Sequence, residues 1–365
     1  MKRFFSFFLI TAGIFCSCSS DQLDTEETIL DMESDIISTS EVITLPSGAS
    51  VVYDGHNYLW QDDIVLSEEQ LKLLSETGSP VDTLSEPTIA PLQIPASYGG
   101  ISLTNTRSCA IYPNYNLWSM VRFVYAPEGN ANETQLRPHT KMLIQQAMRH
   151  WEANTNVRFY NATGQPTHDD TYNIDYPYVY FCNGDGNNSS VGRIGGMQKI
   201  HIAPYQTMGI VAHEIGHAVG LYHEQSRNDR DNYVTVNLSN VSSDKRNNFD
   251  KITTNYYNMG GFDFSSIMLY SSYDFAINPD IPTMTKKDGS TFVGQRIGLS
   301  DGDRRFPNYF YLPYIARSDT YAELDSVVYD GNINRLTESQ RIQLQAQLNN
   351  GNPNPPANGR IENNF

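Results

Sequence analysis

The chain has 365 residues, 39% of them hydrophobic and 12% aromatic, which is enough apolar surface to bury a sizeable core. Lys and Arg number 25 against 41 Asp and Glu, a net charge of −16. That balance removes the electrostatic case for nucleic acid or an acidic membrane surface as a partner.

The chain opens with Lys2 and Arg3 followed by an apolar run too short to span a bilayer, the shape of an export signal. The run ends at Cys16-Ser17-Cys18, so residues 1–18 read as a lipoprotein-type signal with Cys18 as the lipid acceptor; simple cleavage and release is the alternative. The expected location is the outer membrane or cell surface, or the medium, with a lipid anchor as the sole membrane contact. Residues 19–41 are acidic and rich in Ser and Thr, a solvated tether. Within residues 42–108, Ser67 is placed to cap a short helix, and residues 87–95 read as an extended linker.

Ile144, Ala147, Met148 and Trp151 fall at helical spacing, which predicts an amphipathic helix within residues 134–153, packed on a sheet. Residues 157–160, 178–181 and 199–202 have the β-branched and aromatic content of strands. The last is expected at the sheet edge, where an extended substrate can pair its backbone.

The chemistry is concentrated in residues 213–223, which read H-E-x-x-H-x-x-G-x-x-H. Residues four apart share a helix face, so His213 and His217 aim two imidazoles at one point while Glu214 reaches the water beside it. Gly220 tolerates the left-handed conformation that ends a helix, letting His223 return as a third ligand. Three protein ligands leave a tetrahedral zinc one open position, the mark of a catalytic site. His56, His139, His150, His168 and His201 lack such spacing and read as surface or locally bonded residues. With the leader set aside, Cys109 and Cys182 remain, and two thiols in an exported chain are expected to form one disulfide. The alternative is a free Cys109 whose thiolate fills the open zinc position.

The residues after His223, with Glu224, Arg227, Asp229, Arg230, Asp231 and Val234, closely resemble the astacin signature; Leu221 stands where astacins usually have Phe. Ser266-Ile-Met268-Leu-Tyr270 resembles the Met-turn of the wider metzincin clan, with Leu269 replacing the usual His. Ala110-Ile111 with Leu117-Trp118 looks like the start of a mature astacin chain, and residues 191–196 look like the loop before its substrate strand. The likeness covers residues 109–313. It implies an α+β, two-lobed catalytic domain: a mixed sheet with the active-site helix, then an irregular lobe around the Met-turn.

By that resemblance the chain is a zinc endopeptidase, with one zinc per catalytic domain, acting on protein or peptide substrates. Glu214 is the general base, Tyr270 a fifth zinc ligand at rest that later serves the oxyanion, and Met268 a floor beneath the metal. Residues 42–108 are then a pro-region, and Trp60-Gln-Asp62-Asp63 resembles a degraded F-x-G-D inhibitory motif. Asp63 is the candidate zymogen ligand, with Asp62 second. An activating protease cutting near Arg107-Ser108 frees an amino terminus that the family buries against Glu224. Arg296 is a candidate basic pocket residue. The competing class is an inert surface binding protein that merely retains the metal; Glu214 is a residue such a protein does not need.

A final helix is expected to end near Tyr311, with Pro307 interrupting it. Residues 314–365 form a C-terminal extension whose end, from residue 349, is Asn-, Pro- and Gly-rich and expected to be disordered. Within it residues 326–331 repeat residues 50–55 letter for letter, SVVYDG, and each copy precedes a Ser- or Thr-capped run rich in Gln and Glu.

Overall fold

The computed structural model describes residues 40–81, 108–111, 116–318, 321–356 and 365. The signal with Cys18, the tether as far as residue 39, the 87–95 linker and Arg107 lie outside them. In chain order, the amino-terminal segment supplies strands β1 (Glu41–Thr44), β2 (Ser50–Tyr53), β3 (Tyr58–Trp60) and β4 (Ile64–Leu66), then helix α1 (Glu68–Thr77). Ser67 and Gln70 form a reciprocal capping box that starts α1, and Gly78 at φ 77° ends it. Next come β5 (Ser108–Ile111), β6 (Val121–Tyr125), α2 (Pro138–Asn154), β7 (Phe159–Asn161), and a β8–β9 hairpin (His168–Asp169 and Ile174–Asp175). They are followed by β10 (Tyr178–Asn183), β11 (Asn188–Ser189), β12 (Met197–Ile202) and α3 (Met208–Ala218).

Nine of these strands make one sheet in the order β1-β2-β3-β4-β11-β12-β10-β6-β7. Strands β12, β10, β6 and β7 run parallel to one another, and β11 is antiparallel to β12. This corrects the expected edge. Residues 199–202 lie within β12, which is flanked on both sides, and the outer strand of this part of the sheet is β11. Two polar residues, Asn188 and Ser189, give no strand signal in the sequence, because their pairing is set by the neighbouring strand rather than by propensity.

Helix α2 buries Leu143, Ile144, Ala147, Met148 and Trp151 against the sheet and α3, and the Trp151 indole donates to the Ala212 carbonyl at 3.0 Å. It starts at Pro138 rather than 134 because the preceding backbone is engaged elsewhere: the Asn183 N–H donates to Gln135 O and the Arg137 N–H to Asn183 Oδ1.

The second half is irregular, as expected. Short 3-10 turns join β13 (Val234–Val236), β14 (Tyr256–Met259) and β15 (Met284–Lys286), and Val234, Phe249, Phe262, Leu269 and Met284 form its own small core. Helix α4 (Asp301–Phe310) continues through Pro307, losing one backbone hydrogen bond without breaking. Strands β16 (Tyr314–Ser318) and β17 (Tyr321–Leu324) and helix α5 (Glu338–Leu348) follow. No helix among the described residues is long and apolar enough to cross a membrane.

The extension is tied to the sheet by one buried cation. Arg158 donates to the carbonyls of Thr155 and Val157 at 2.8 Å each, to Val327 O at 2.5 Å and to Asp325 Oδ2 at 3.0 Å. Residues 357–364 lie outside the described set; in the described part of the tail expected to be disordered, Gly351 N–H donates to Ala346 O at 2.7 Å and Phe365 rests against Phe123 with ring centroids 6.4 Å apart. Replacing Arg158 by Ala leaves several buried carbonyls unsatisfied and is expected to cost about 2–3 kcal/mol. A urea titration checks this; an unchanged midpoint removes the clasp role.

Candidate active site

Helix α3 carries the first two histidines on its buried face. Thr207 caps it by accepting the Ile210 N–H at 3.3 Å, and Gly220, at φ 105°, turns the chain out of it. A Cβ on Gly220 would lie 2.9 Å from Ile111 Cγ1, and one on Gly216 would lie 2.9 Å from the Met268 sulfur. Glycine at these places lets the helix exit close on β5 and lets α3 sit directly on the Met-turn.

His213 Nδ1 donates to Ile267 O and His217 Nδ1 to Leu221 O, both at 2.9 Å. A carbonyl only accepts, so both rings carry their proton on Nδ1 and present a bare Nε2. The rings of His213, His217 and His223 lie 4.8–5.4 Å apart, centroid to centroid. Burial pushes His213 down to about 3 and also lowers His223, which keeps these two imidazoles neutral, as ligands must be.

Asp63 stands in the middle. Its Oδ2 is 3.2 Å from His213 Nε2 and 3.3 Å from His223 Nε2, and its Oδ1 is 3.4 Å from His217 Nε2. Burial by itself raises this carboxyl, but the surrounding histidines outweigh it and hold Asp63 well below the usual carboxylate range. The strand β3 to β4 turn delivers it, through Gln61 and Asp62 at positive φ (54° and 76°). The neighbour Asp62 faces away and pairs with Lys245 at 2.9 Å.

Glu214 lines the same cleft, a cavity of about 440 Å³ that also includes Tyr270, Asp274, Phe275 and Arg296. Burial, then the Asp63 charge, push its carboxyl well above the usual range. The Tyr270 hydroxyl donates to Gln61 O at 3.0 Å. With the amino-terminal segment in place the phenol is turned onto that segment, and its ring lies 4.7 Å from the His223 ring, centroid to centroid. Arg296 donates to Leu269 O at 3.0 Å on the cleft wall.

Glu224 is buried and accepts the Asp263 N–H at 2.8 Å, with the Arg227 guanidinium 3.6 Å away; burial pushes its carboxyl up to about 8. Cys109 and Cys182 are separate, free and buried thiols, so the expected disulfide is not formed. Cys109 is held in β5, paired with β14, and Cys182 in β10 of the main sheet, each locked into its own strand. Neither belongs to the ligand group, which removes the alternative of Cys109 at the metal. Burial pushes the Cys109 thiol up and Cys182 up to about 12, consistent with packing roles. Of the other histidines, His201 is buried and bonded to Asn188 at 2.6 Å, and Leu299 N–H donates to His150 at 3.0 Å.

Sequence reading overlooked Asp303, whose carboxylate accepts from Ser266 and from the Ile267 N–H beneath the site. The Ser300-x-x-Asp303 spacing was its available signal, a capping box at the start of α4.

Four donor atoms, from Asp63, His213, His217 and His223, lie within 4.8 Å of one another. His217 Nε2, His223 Nε2, Asp63 Oδ1 and Glu214 Oε2 are buried without a hydrogen-bond partner. Unprotonated nitrogens and carboxylate oxygens converging in a dry pocket call for a cation, and the three-imidazole donor set fits zinc. Fold and site therefore define a mononuclear zinc protein of the metallopeptidase type.

Known proteins agree with that class. The family model "Astacin (Peptidase family M12A)" matches residues 111–312. Flavastacin of Elizabethkingia meningoseptica is 31% identical over 328 residues, covering 87% of this chain and 66% of flavastacin. Protein SpAN of Strongylocentrotus purpuratus is 36% identical over 211 residues, 56% of this chain and 32% of SpAN. Among solved structures, high choriolytic enzyme 1, a hatching-enzyme zinc protease of Oryzias latipes, is 28% identical at a TM-score of 0.44, covering 53% of this chain and 90% of that one. The chain thus spans at most about two thirds of these curated relatives, 66% and 32% of their lengths. By the family model, which matches more than half of it, the chain belongs to the astacin family, with one catalytic zinc as its cofactor.

A full-length chain that holds zinc in this way is stabilised by it to an extent that grows with the logarithm of the affinity. Removing metal with a strong chelator is expected to lower Tm by several degrees, and added zinc to restore it. An identical melting curve in both states counts against the site.

Proposed function

We propose that the protein is a zinc-dependent endopeptidase exported as a latent precursor, with residues 42–108 as the inhibitory pro-region and Asp63 as the group that blocks the metal. The observation that carries the reading is the Asp63 carboxylate set within 3.2–3.4 Å of all three histidine Nε2 atoms. Its supporting strand also occupies the sheet edge. Strand β4 lies parallel to β11, and the Ser189 N–H donates to Asp63 O at 2.9 Å, so the backbone positions a substrate needs are already taken.

Bound zinc supplies Lewis-acid chemistry: it polarises a scissile carbonyl and acidifies a water molecule. The chain's own residues do the rest once the segment leaves. Glu214 accepts the proton from the attacking water and delivers it to the leaving amine; its orphaned Oε2 is free to take up that proton. Tyr270, released from Gln61, has its hydroxyl free to donate to the developing oxyanion. Strand β11 pairs the substrate backbone. Arg296, the guanidinium on the cleft wall, favours an acidic substrate side chain.

Activation follows from a cut near Arg107-Ser108 by another protease. Strand β5 starts at Ser108, and Tyr222 N–H donates to Cys109 O at 2.9 Å, one residue from the histidine that precedes Glu224. A new ammonium there has the buried Glu224 carboxylate as its partner. The amino-terminal sequence supports export with Cys18 as lipid acceptor.

Full-length Asp63→Ala is expected to cleave itself, and an unfolded protein substrate, without added protease; a variant as silent as the parent removes Asp63 from the latency role. In the matured enzyme Glu214→Ala is expected to retain zinc and lose kcat on the order of 10³-fold. Turnover near the parent value withdraws the general base.

A further inference from the structure

We propose that Asp303 is a positioning residue for the zinc site, acting on His213 through a hydrogen-bonded relay made of the Ser266 hydroxyl and the peptide group between Ile267 and Met268. This rests on the zinc-peptidase reading above. The relay is continuous. Asp303 Oδ1 accepts the Ser266 O–H at 2.6 Å, Ser266 Oγ accepts the Met268 N–H at 3.0 Å, and Ile267 O accepts the His213 Nδ1–H at 2.9 Å. Met268 N–H and Ile267 C=O are the two ends of one amide. A strong acceptor at its nitrogen end increases the charge on its oxygen end, as in any chain of hydrogen bonds that polarise one another.

The negative charge at the far end is fixed. Asp303 is almost fully buried, and its Oδ2 accepts the N–H groups of Ile267 at 2.8 Å and Ser300 at 2.9 Å. Burial pushes its carboxyl up only to about 6, so it is ionised at neutral pH. A carboxylate feeding a ligand's Nδ1–H raises the basicity of the opposite Nε2 and fixes the ring plane.

The other two histidines are not served in this way. His217 Nδ1 donates to Leu221 O, and the N–H at the other end of that amide, on Tyr222, donates to the neutral carbonyl of Cys109 at 2.9 Å. His223 Nδ1 is buried without a partner among the described residues. His213 is therefore the one ligand of the three whose outer bonds end on a carboxylate. The same carboxylate caps α4, so the first turn of that helix and the Met-turn beneath the metal share one anchor.

The test uses the full-length chain with Ser266→Ala, Asp303→Asn, the double variant, and Ser266→Thr, which keeps a hydroxyl. Zinc affinity is read by chelator competition and the ligand field by the visible absorption of cobalt-loaded protein. Ser266→Ala is expected to weaken zinc about tenfold and shift the cobalt bands, and Ser266→Thr to restore both. Because the two residues act in series, the double variant is expected to be no weaker than Asp303→Asn alone. Ser266→Ala that melts like the parent, with equal zinc affinity and an unchanged cobalt spectrum, overturns the relay; so do fully additive losses. If Asp303→Asn does not fold, the Ser266→Ala and Ser266→Thr pair decides by itself. A parent chain that takes up no zinc overturns the peptidase reading instead.

Discussion

The rest of the structure depends on three imidazoles held buried and convergent. Water would satisfy each bare Nε2 and scatter the rings, so the site has to be buried before it can be a ligand set. Burial in turn needs support for the opposite nitrogens. For His213 and His217 it comes from carbonyls of the Met-turn and of the helix exit. Gly216 and Gly220 are the places where the contact is too close for a side chain.

A pocket of that kind is electrostatically incomplete without a cation, and the amino-terminal segment completes it from the anion side. Asp63 brings a carboxylate to the point where the three Nε2 atoms converge. Trp60 packs edge-on against Tyr222 with centroids 5.9 Å apart, and Gln70 donates to Val191 O at 3.2 Å, so the segment is held by core packing as well as by the carboxylate. The exposed Lys245–Asp62 pair adds little beside these, since such pairs contribute about 0–1 kcal/mol. The segment also pairs along β11: strand β4 lies parallel to it, and the Ser189 N–H donates to Asp63 O at 2.9 Å.

The repeated SVVYDG shows how far local sequence goes. In both copies the aspartate accepts backbone N–H bonds in a turn: Asp54 from His56 and Asn57, Asp330 from Asn332 and Asn334. Both copies lead to a helix with a reciprocal capping box, at Ser67 and at Thr337. Yet the first copy is strand β2 between two partners, and the second pairs only through an isolated Tyr329–Arg335 bridge, its backbone engaged by Asn156 and Arg158. Turn and cap chemistry acts over four residues and repeats; strand pairing requires a neighbour and does not.

From the sequence alone come the metal ligands, the base beside them, the α2 core stripe, the helix caps and the family, because each is written in spacings of eleven residues or fewer, or in one contiguous signature. That Asp63 rather than Asp62 reaches the three histidines was legible only as a choice between two adjacent acids, and the backbone at Gln61 and Asp62 makes that choice. Three features were decided by tertiary structure: β11 as the outer strand in place of β12, the two thiols locked in separate strands, and Asp303 beneath the Met-turn. In each case the deciding partner is distant in the chain, Ser266 and Asp303 being 37 positions apart, and long-range proximity leaves no periodicity for a reader of sequence to find.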